Sequence, residues 1–480
     1  MKEELTMLES FEYEGIWWLP HSPDNILAGI LKFTPEEGIF LKLIGGRFLQ
    51  DLEKLQEPAK EKVVLGLASK GIPVTLENCR EIQFNLGLSS GNPLYQSATM
   101  QADLMYLGEH FPSPEEIKFR KISVRYLYLD DWLDQRFIEL HLDQNAQELH
   151  IKATSPSQEI QLYSSSELKL SIDTDIQTNL ILYQPSEPKG VKITQLSWVK
   201  FESANPQNLE YFEEYISIIR NFLTLAVGMP VYPLSVKGET ENDKKVDIFF
   251  ALPRIPRKLP AFSPPKMLFN YSSISNRCQS VLANWLGKAD LLQPVYPLFF
   301  GTLYNPELYI ENKFLSFICA VEAFHTRSES FKKEYISNEE YKKIRDIITN
   351  AIPRETSSDL KERIKEMLRY GNEKSLRKKL KDILTANANI TNKFIENNDQ
   401  FIQKVVNTRN YLVHYDKELE PSSANRSELF LYTEKLRLLL EICLLRELGF
   451  TTNEIESLPS IKERINFLND YEKGSSGSLS

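Results

Sequence analysis

A chain of 480 residues exceeds what one core usually holds, since single cores seldom grow past about 250 residues, so two or three domains are expected. Its 42% hydrophobic and 26% charged content are those of an ordinary globular protein. The formal net charge of −9 argues against a generally basic nucleic-acid coat, but leaves room for a local basic site.

The chain opens Met1-Lys-Glu-Glu-Leu-Thr with charges of both signs and no apolar region behind them, so no secretory signal is expected. No apolar run approaches the ~20 residues that span a bilayer. The longest, Phe222 to Val236, is broken by Gly228, Pro230 and Pro233. Cys79, Cys278, Cys319 and Cys443 form no C-x-x-C pair and read as free thiols of an intracellular chain. The expectation is a cytoplasmic protein without membrane contact. His21, His110, His141, His150, His325 and His414 lack ligand spacing, and neither H-E-x-x-H, a P-loop nor a Rossmann fingerprint occurs. No metal or cofactor is expected.

From about Phe11 to Val199 the hydrophobic period is mostly two. Ile26–Phe33, the turn Thr34-Pro-Glu-Glu-Gly38 and Ile39–Ile44 predict a hairpin. Further strand-like runs are Val74–Leu76 (very short), Ser97–Tyr106, Ile122–Leu129, Phe137–Leu142, Gln158–Tyr163, Glu167–Ile172, Thr178–Leu182 and Gly190–Val199. Together they predict an antiparallel sandwich or barrel-like module over residues 1–205, in which Trp17 and Trp18 are packing residues. It shows no catalytic constellation, and is expected to restrain or trigger whatever follows it.

Residues 206–308 read as a mixed connecting region. Leu209–Leu223 has helical spacing, Pro230–Val236 and Val246–Leu252 return to strand character, and Pro253, Pro256, Pro260, Pro264 and Pro265 mark a linker before a helix at Ser273–Leu286. Residues 309–471 are almost wholly helical in pattern. The predicted helices are Asn312–Thr326, Ser337–Ile352, Ser358–Arg369, Lys374–Ala386, Asn398–His414 and Ser427–Leu448, with Asn387–Asn398 as a loop. Ser337 with Glu340 makes a capping box, Ser427 an N-cap, and Gly449 a stop. Residues 472–480 are a flexible tail. The fold class is α+β, a β-rich N-terminal module followed by an all-α bundle.

One helix of that bundle carries an anomaly. On Asn398–His414, the residues Ile402, Val405, Val406, Leu412 and Val413 define one stripe, and Arg409 falls in its middle. A guanidinium on a packing face is costly unless something pairs with it or the face lines a site. Asn410 and His414, four apart, share the adjoining shoulder. On Asn312–Thr326 a second ionisable residue, Glu322, turns the same way, and the simplest pairing is Glu322 with Arg409. As structure this is a buried ion pair; as function the carboxylate orients the guanidinium towards a phosphate.

If that phosphate belongs to RNA, such a set suits its cleavage. RNA carries its own nucleophile, so the enzyme needs a base, an acid and donors for the phosphorane charge. A histidine titrates near neutral pH and suits proton transfer, and Arg409 offers a fork of donors to phosphoryl oxygens. Asn410 can bond either the phosphate or the imidazole. Basic residues for docking lie on Lys361, Arg363, Lys365 and Arg369 and on Arg377, Lys378, Lys379 and Lys381. They read either as solvated helix faces or as an RNA-docking strip.

Arg409-Asn-Tyr-Leu-Val-His414 resembles the R-x4-6-H motif of HEPN domains, in which Asn commonly follows the Arg. Phe314–His325, with Glu322 near its end, resembles the first helix of the ApeA-like HEPN subgroup. Gly15-Ile-Trp-Trp-Leu-Pro20 through Gly45-Gly-Arg47 is similar to the N-terminal domain paired with it. This resemblance implies a HEPN endoribonuclease at 309–471, with Arg409, Asn410, His414 and Glu322 as its site. It also implies a homodimer through the HEPN domain that sets two motifs on one cleft, host RNA such as tRNA as target, and a phage-derived trigger in abortive-infection defence. The competing expectation is a non-catalytic HEPN module that binds nucleotides or RNA, or acts as a scaffold.

Overall fold

The computed structural model of the chain describes residues 5–48, 60–87, 95–143, 148–156, 158–181, 190–252, 255 and 264–477. They form two compact units, Met1–Ala283 and Asn284–Ser480. The chain is α+β, with an antiparallel β-rich region over residues 11–250 and a helical region over 271–474.

In the first unit β1 (Phe11–Leu19), β2 (Ser22–Thr34), β3 (Gly38–Ile44), β4 (Lys60–Ala68), β5 (Ile72–Gly87) and β6 (Tyr95–Ala102) close into a barrel. Every junction is antiparallel, with β4 on β1, β1 on β2, β2 on β3, β3 on β6, and β6 back on β5. Closure removes the open strand edges that would otherwise template aggregation. The predicted hairpin is β2–β3, its turn closed by the pair Thr34 and Gly38, with Gly38 at φ 91° where a side chain would be strained. Trp17 is fully buried. Gly66 makes room for it, since a Cβ there would come within 2.2 Å of the indole.

The short run expected at Val74–Leu76 is in fact the start of the long strand β5. Its Val74–Glu77 part pairs with β7 (Leu104–Leu107), while Arg80–Gly87 pairs with β6. The second half hides behind polar residues that work across the sheet: Arg80 Nη2 donates to Gln101 at 2.9 Å, and Arg47 meets Glu81 at 3.4 Å. β8 (Phe119–Tyr126), which α1 (Leu129–Leu133) follows in sequence, is joined to β7 only through two strands that come later in the chain. The remaining strands are β9 (Ile138–Asp143), β10 (Glu148–Ala153), β11 (Ile160–Ser164), β12 (Leu168–Ile181) and β13 (Gly190–Gln207). β12 joins the two runs expected at Glu167–Ile172 and Thr178–Leu182. Thr174 between them is buried, its hydroxyl 2.9 Å from that of Ser197 on β13. Among the described residues β9 and β10 pair only with each other.

The segment expected to connect the domains divides instead. α2 (Leu209–Val227), capped by Asn208, is followed by β14 (Pro233–Glu239) and β15 (Lys245–Phe250), which join the large sheet. Pro253, Pro256 and Pro260 lie outside the described residues. The division between units falls within the helix Cys278–Gly287.

The helices after α2 are α3 (Tyr271–Ile274), α4 (Cys278–Gly287), α5 (Ala289–Leu292), α6 (Tyr296–Leu303), α7 (Ile310–Arg327), α8 (Asn338–Asn350), α9 (Ser358–Arg369), α10 (Leu376–Ala386), α11 (Ala388–Thr391), α12 (Asn398–His414), α13 (Arg426–Glu447), α14 (Thr452–Ser457) and α15 (Pro459–Gly477). α13 is the centre of the second unit, with Leu436, Leu438, Leu439, Leu440 and Ile442 inaccessible, and it packs on α7 and α15. The predicted capping box at Ser337 and Glu340 is present. At α13 the cap is Asn425 with Glu428 rather than Ser427, because only a residue three before Glu428 completes the reciprocal bond. Helix α15 takes in most of the segment expected as a flexible tail. Lys435 of α13 anchors it by donating to Glu472 at 2.7 Å; residues 478–480 lie outside the described residues.

Candidate functional site

Helix α12 has the predicted limits. Asn397 caps it, its side chain accepting from Gln400 N at 3.0 Å, and Asp399 complements the N-terminal dipole. Its buried residues are Phe401, Ile402, Val405 and Thr408. The packing stripe is therefore rotated from the expected one by roughly 60°, a little over half a position at 100° per residue. Thr408 takes the place assigned to Arg409, because its hydroxyl is satisfied internally: it donates to Lys404 O at 2.7 Å and accepts from Ala424 N at 2.8 Å. Val413, expected on the packing face, is exposed instead.

The rotation moves Arg409 to the edge of the interface, where it is half-buried, and puts His414 in solvent at the last position of the helix. Arg409 Nη1 donates to Asn410 Oδ1 at 3.1 Å. Motif residues thus brace one another along one helix. Next, Tyr415 ends the helix in the left-handed region, at φ 51° and ψ 36°.

Glu322 does not pair with Arg409. Its carboxylate accepts from Lys379 Nζ at 3.2 Å, and that lysine is only 7% exposed. One turn further along the same two helices, His325 Nε2 lies 3.1 Å from Asp382 Oδ2. Glu322 and His325 are three apart on α7, as Lys379 and Asp382 are on α10, so two polar rungs join the helices side by side. His325 is wholly buried and stacked on Phe331, ring centroids 4.8 Å apart. Burial pulls its imidazole below the usual histidine range, against the opposing hydrogen bond and charge of Asp382. Burial alone would raise Asp382, but bonds from Lys374 (2.6 Å), Lys378 and His325 hold it down to about 2.

Arg409 and Glu322 nonetheless share one neighbourhood. α12 packs on both α7 and α10, and the Cys319 thiol feels both groups. Burial raises it first, Glu322 raises it further, and Arg409 pulls it back. With Lys379 neutralising Glu322, the Arg409 guanidinium keeps its donors for another anion.

Of the basic residues expected to dock RNA, Lys379 is turned inward to Glu322 and Lys378 holds Asp382 at 2.8 Å. Lys361 donates to Arg354 O at 2.6 Å, and Arg363 meets Glu366 at 3.4 Å. Lys365, Arg369, Arg377 and Lys381 are exposed. A shallow cleft of about 560 Å³ on α9 is lined by Arg363, Glu366, Met367, Arg369 and Tyr370. Among the described residues no group of His, Cys, Asp and Glu is placed to hold a metal ion. The α7–α10 rungs were not foreseen. Their signal was Asp382, a lone acid set three and four residues after lysines in a basic run.

A helical bundle with Arg-Asn-x-x-x-His at the end of one helix has the makings of a HEPN domain, and residues 315–454 match the family Apea-like HEPN. Residues 12–285, more than half of the chain, match ApeA N-terminal domain 1. The chain belongs to the ApeA-like HEPN proteins. No curated protein and no solved structure matches it. HEPN membership suggests a nuclease or RNA-related role in ApeA-type defence; such domains generally bind RNA and often dimerise. No helix among the described residues is long and apolar enough to cross a membrane.

Proposed function

We propose that this chain is a metal-independent endoribonuclease that cuts host RNA by attack of the 2′-hydroxyl, in abortive-infection defence. The observation that carries the reading is the C-terminal turn of α12. There Arg409 and Asn410 are joined at 3.1 Å and half-buried, while His414 stands exposed beyond them. Five residue steps carry the helix from Arg409 to His414, about 7.5 Å along the axis.

In the reaction the 2′-oxygen bonds to phosphorus and the bond from phosphorus to the 5′-oxygen breaks. His414 takes the 2′-proton or supplies the one the leaving 5′-oxygen needs. A second copy of the motif, in a homodimer through the HEPN domain, would supply the other histidine. Arg409 donates to the non-bridging oxygens, where charge grows in the transition state. Asn410 holds the guanidinium fork. Glu322, neutralised by Lys379, shapes the floor behind it. The products are a 2′,3′-cyclic phosphate and a 5′-hydroxyl. Unpaired loops such as those of tRNA suit the site, because their backbone can reach in-line geometry. The N-terminal unit restrains or triggers the nuclease, answering a phage-derived signal.

The test is cleavage by purified wild type, His414→Ala and Arg409→Ala. His414→Ala should abolish cutting with RNA affinity nearly intact. Arg409→Ala should lose both. A wild type that binds RNA without cutting it, even when triggered, would support a non-catalytic binding module instead.

A further inference from the structure

The residue that follows the motif holds a backbone conformation usually left to glycine, or to Asp and Asn as at Asp134 after α1. Where α2 ends the chain turns left-handed on Gly228, at φ 77°, and after α13 it does so on Gly449, at φ 91°. After α12 the same turn is made by Tyr415, at φ 51°. Glycine adopts that conformation without penalty, whereas a side chain with a Cβ is strained there. The strain is not offset by burial. Tyr415 is 71% exposed, a large aromatic surface left in solvent beside His414. Its ring meets Tyr411 edge on, centroids 5.9 Å apart, and Tyr415 N closes the turn on Tyr411 O at 2.6 Å. Thus the turn that presents His414 also fixes a pair of tyrosine rings at the end of the helix.

We propose that Tyr415, backed by Tyr411, is a stacking platform for an unpaired base next to the scissile phosphate, a binding element that selects single-stranded RNA. This rests on the ribonuclease reading of the α12 motif and adds a substrate requirement to it. A base in a duplex is already stacked on its neighbours and cannot offer its face to a protruding ring, so paired RNA is excluded. An unstacked base of any identity can, because every base has a π-face. The tyrosine edge-on contact holds the Tyr415 ring at a fixed angle, so little rotamer freedom is lost when a base lands on it. Strain at Tyr415 and its exposure then have a common cause, since a ring tucked back into the bundle could not meet the substrate.

The experiment measures binding of a labelled ten-nucleotide strand of 2′-O-methyl uridine, which lacks the attacking hydroxyl and cannot be cut, by the full chain. It also measures cleavage of the unmodified strand and of the same strand in a duplex. Tyr415→Gly removes the ring and relieves the left-handed strain, so its thermal midpoint should stay level or rise. Its affinity for the single strand should fall by about tenfold. Tyr415→Phe should bind as wild type, because the ring and not the hydroxyl does the stacking. Wild type should cut the single strand in preference to the duplex, and Tyr415→Gly should lose that preference. A Tyr415→Gly protein that folds, binds and discriminates like wild type overturns the platform and leaves the ribonuclease reading standing. Wild type that cuts both forms equally does the same. Wild type that, even when triggered, neither binds nor cuts either strand overturns both.

Discussion

Helices α12 and α13 follow one another in the chain and treat their polar residues in opposite ways. In α13 each deeply placed charge is answered by another element. Lys435 reaches Glu472 at 2.7 Å, Glu441 holds Arg437 at 3.0 Å and also Arg464, and Arg446 bonds Asn387 at 2.7 Å and Thr452 at 2.8 Å. Glu447 accepts from Ser328 at 2.8 Å and pairs with Lys288. At the end of α12 the polar groups, among the described residues, hydrogen-bond only within their own helix or stand in solvent: Arg409 bonds Asn410, and His414 and Tyr415 are exposed. Burying a charge is tolerable only when it is paired, so the α13 network is what the fold itself requires. The α12 turn meets no such requirement, and that frees it for a ligand.

This contrast predicts that substitutions in the two helices separate activity from stability. The largest effect belongs to His414→Ala, which should cut the cleavage rate by ~10²–10⁴-fold through lost proton transfer. Its denaturation midpoint should match wild type, because the side chain is exposed; a fall in the midpoint would assign His414 a structural part. Next comes Glu441→Ala. Removing one partner of a buried cluster takes from Arg437 and Arg464 their nearest counter-charge and leaves them Glu434, and urea unfolding should show a loss of about 3–5 kcal/mol. A loss under about 1 kcal/mol would mean that water already reaches the cluster.

Lys379→Met sits between the two helices in kind. It should cost only about 1 kcal/mol of stability, since Glu322 is partly exposed and can turn to water. Cleavage should nevertheless fall, because the unpaired carboxylate is then free to draw Arg409 away from phosphate. Adding Glu322→Gln to Lys379→Met should restore cleavage. Failure of that rescue would show that Glu322 and Arg409 do not compete.

The smallest effect is on pH dependence. His325 is held neutral, its folded pKa below the ordinary value of 6.5, so the unfolded chain binds more protons and stability falls as pH drops below that value. Asp382, held to about 2 against an ordinary 3.8, adds stability above 3.8 that is lost as pH falls between those values. Asp382→Asn should flatten the lower of these slopes. An unchanged unfolding profile between pH 4 and 2 would contradict the pairing with Lys374, Lys378 and His325.

Much of this was legible in the sequence wherever a local rule decides the outcome. The β2–β3 hairpin was marked by its Pro/Gly turn, α8 by its capping box, and α9 and α12 by their period. What escaped were features settled by distant residues. The second half of β5 is a strand because β6 and Arg47 pair with its polar face, a condition no local alternation reveals. The orientation of α12 was misread because Thr408, a polar residue, qualifies for burial only once Ala424 supplies a backbone donor. The expected partner of Glu322 was wrong for a similar reason, since Lys379 looked like one more solvated lysine until α10 was laid against α7.

The most direct test of the central claim is the chemistry of the RNA ends that purified protein leaves when EDTA is present. The account predicts 2′,3′-cyclic phosphates and 5′-hydroxyls from wild type, and intact RNA from His414→Ala. Cleavage that persists in His414→Ala, or wild-type cleavage that stops with chelator, would contradict it.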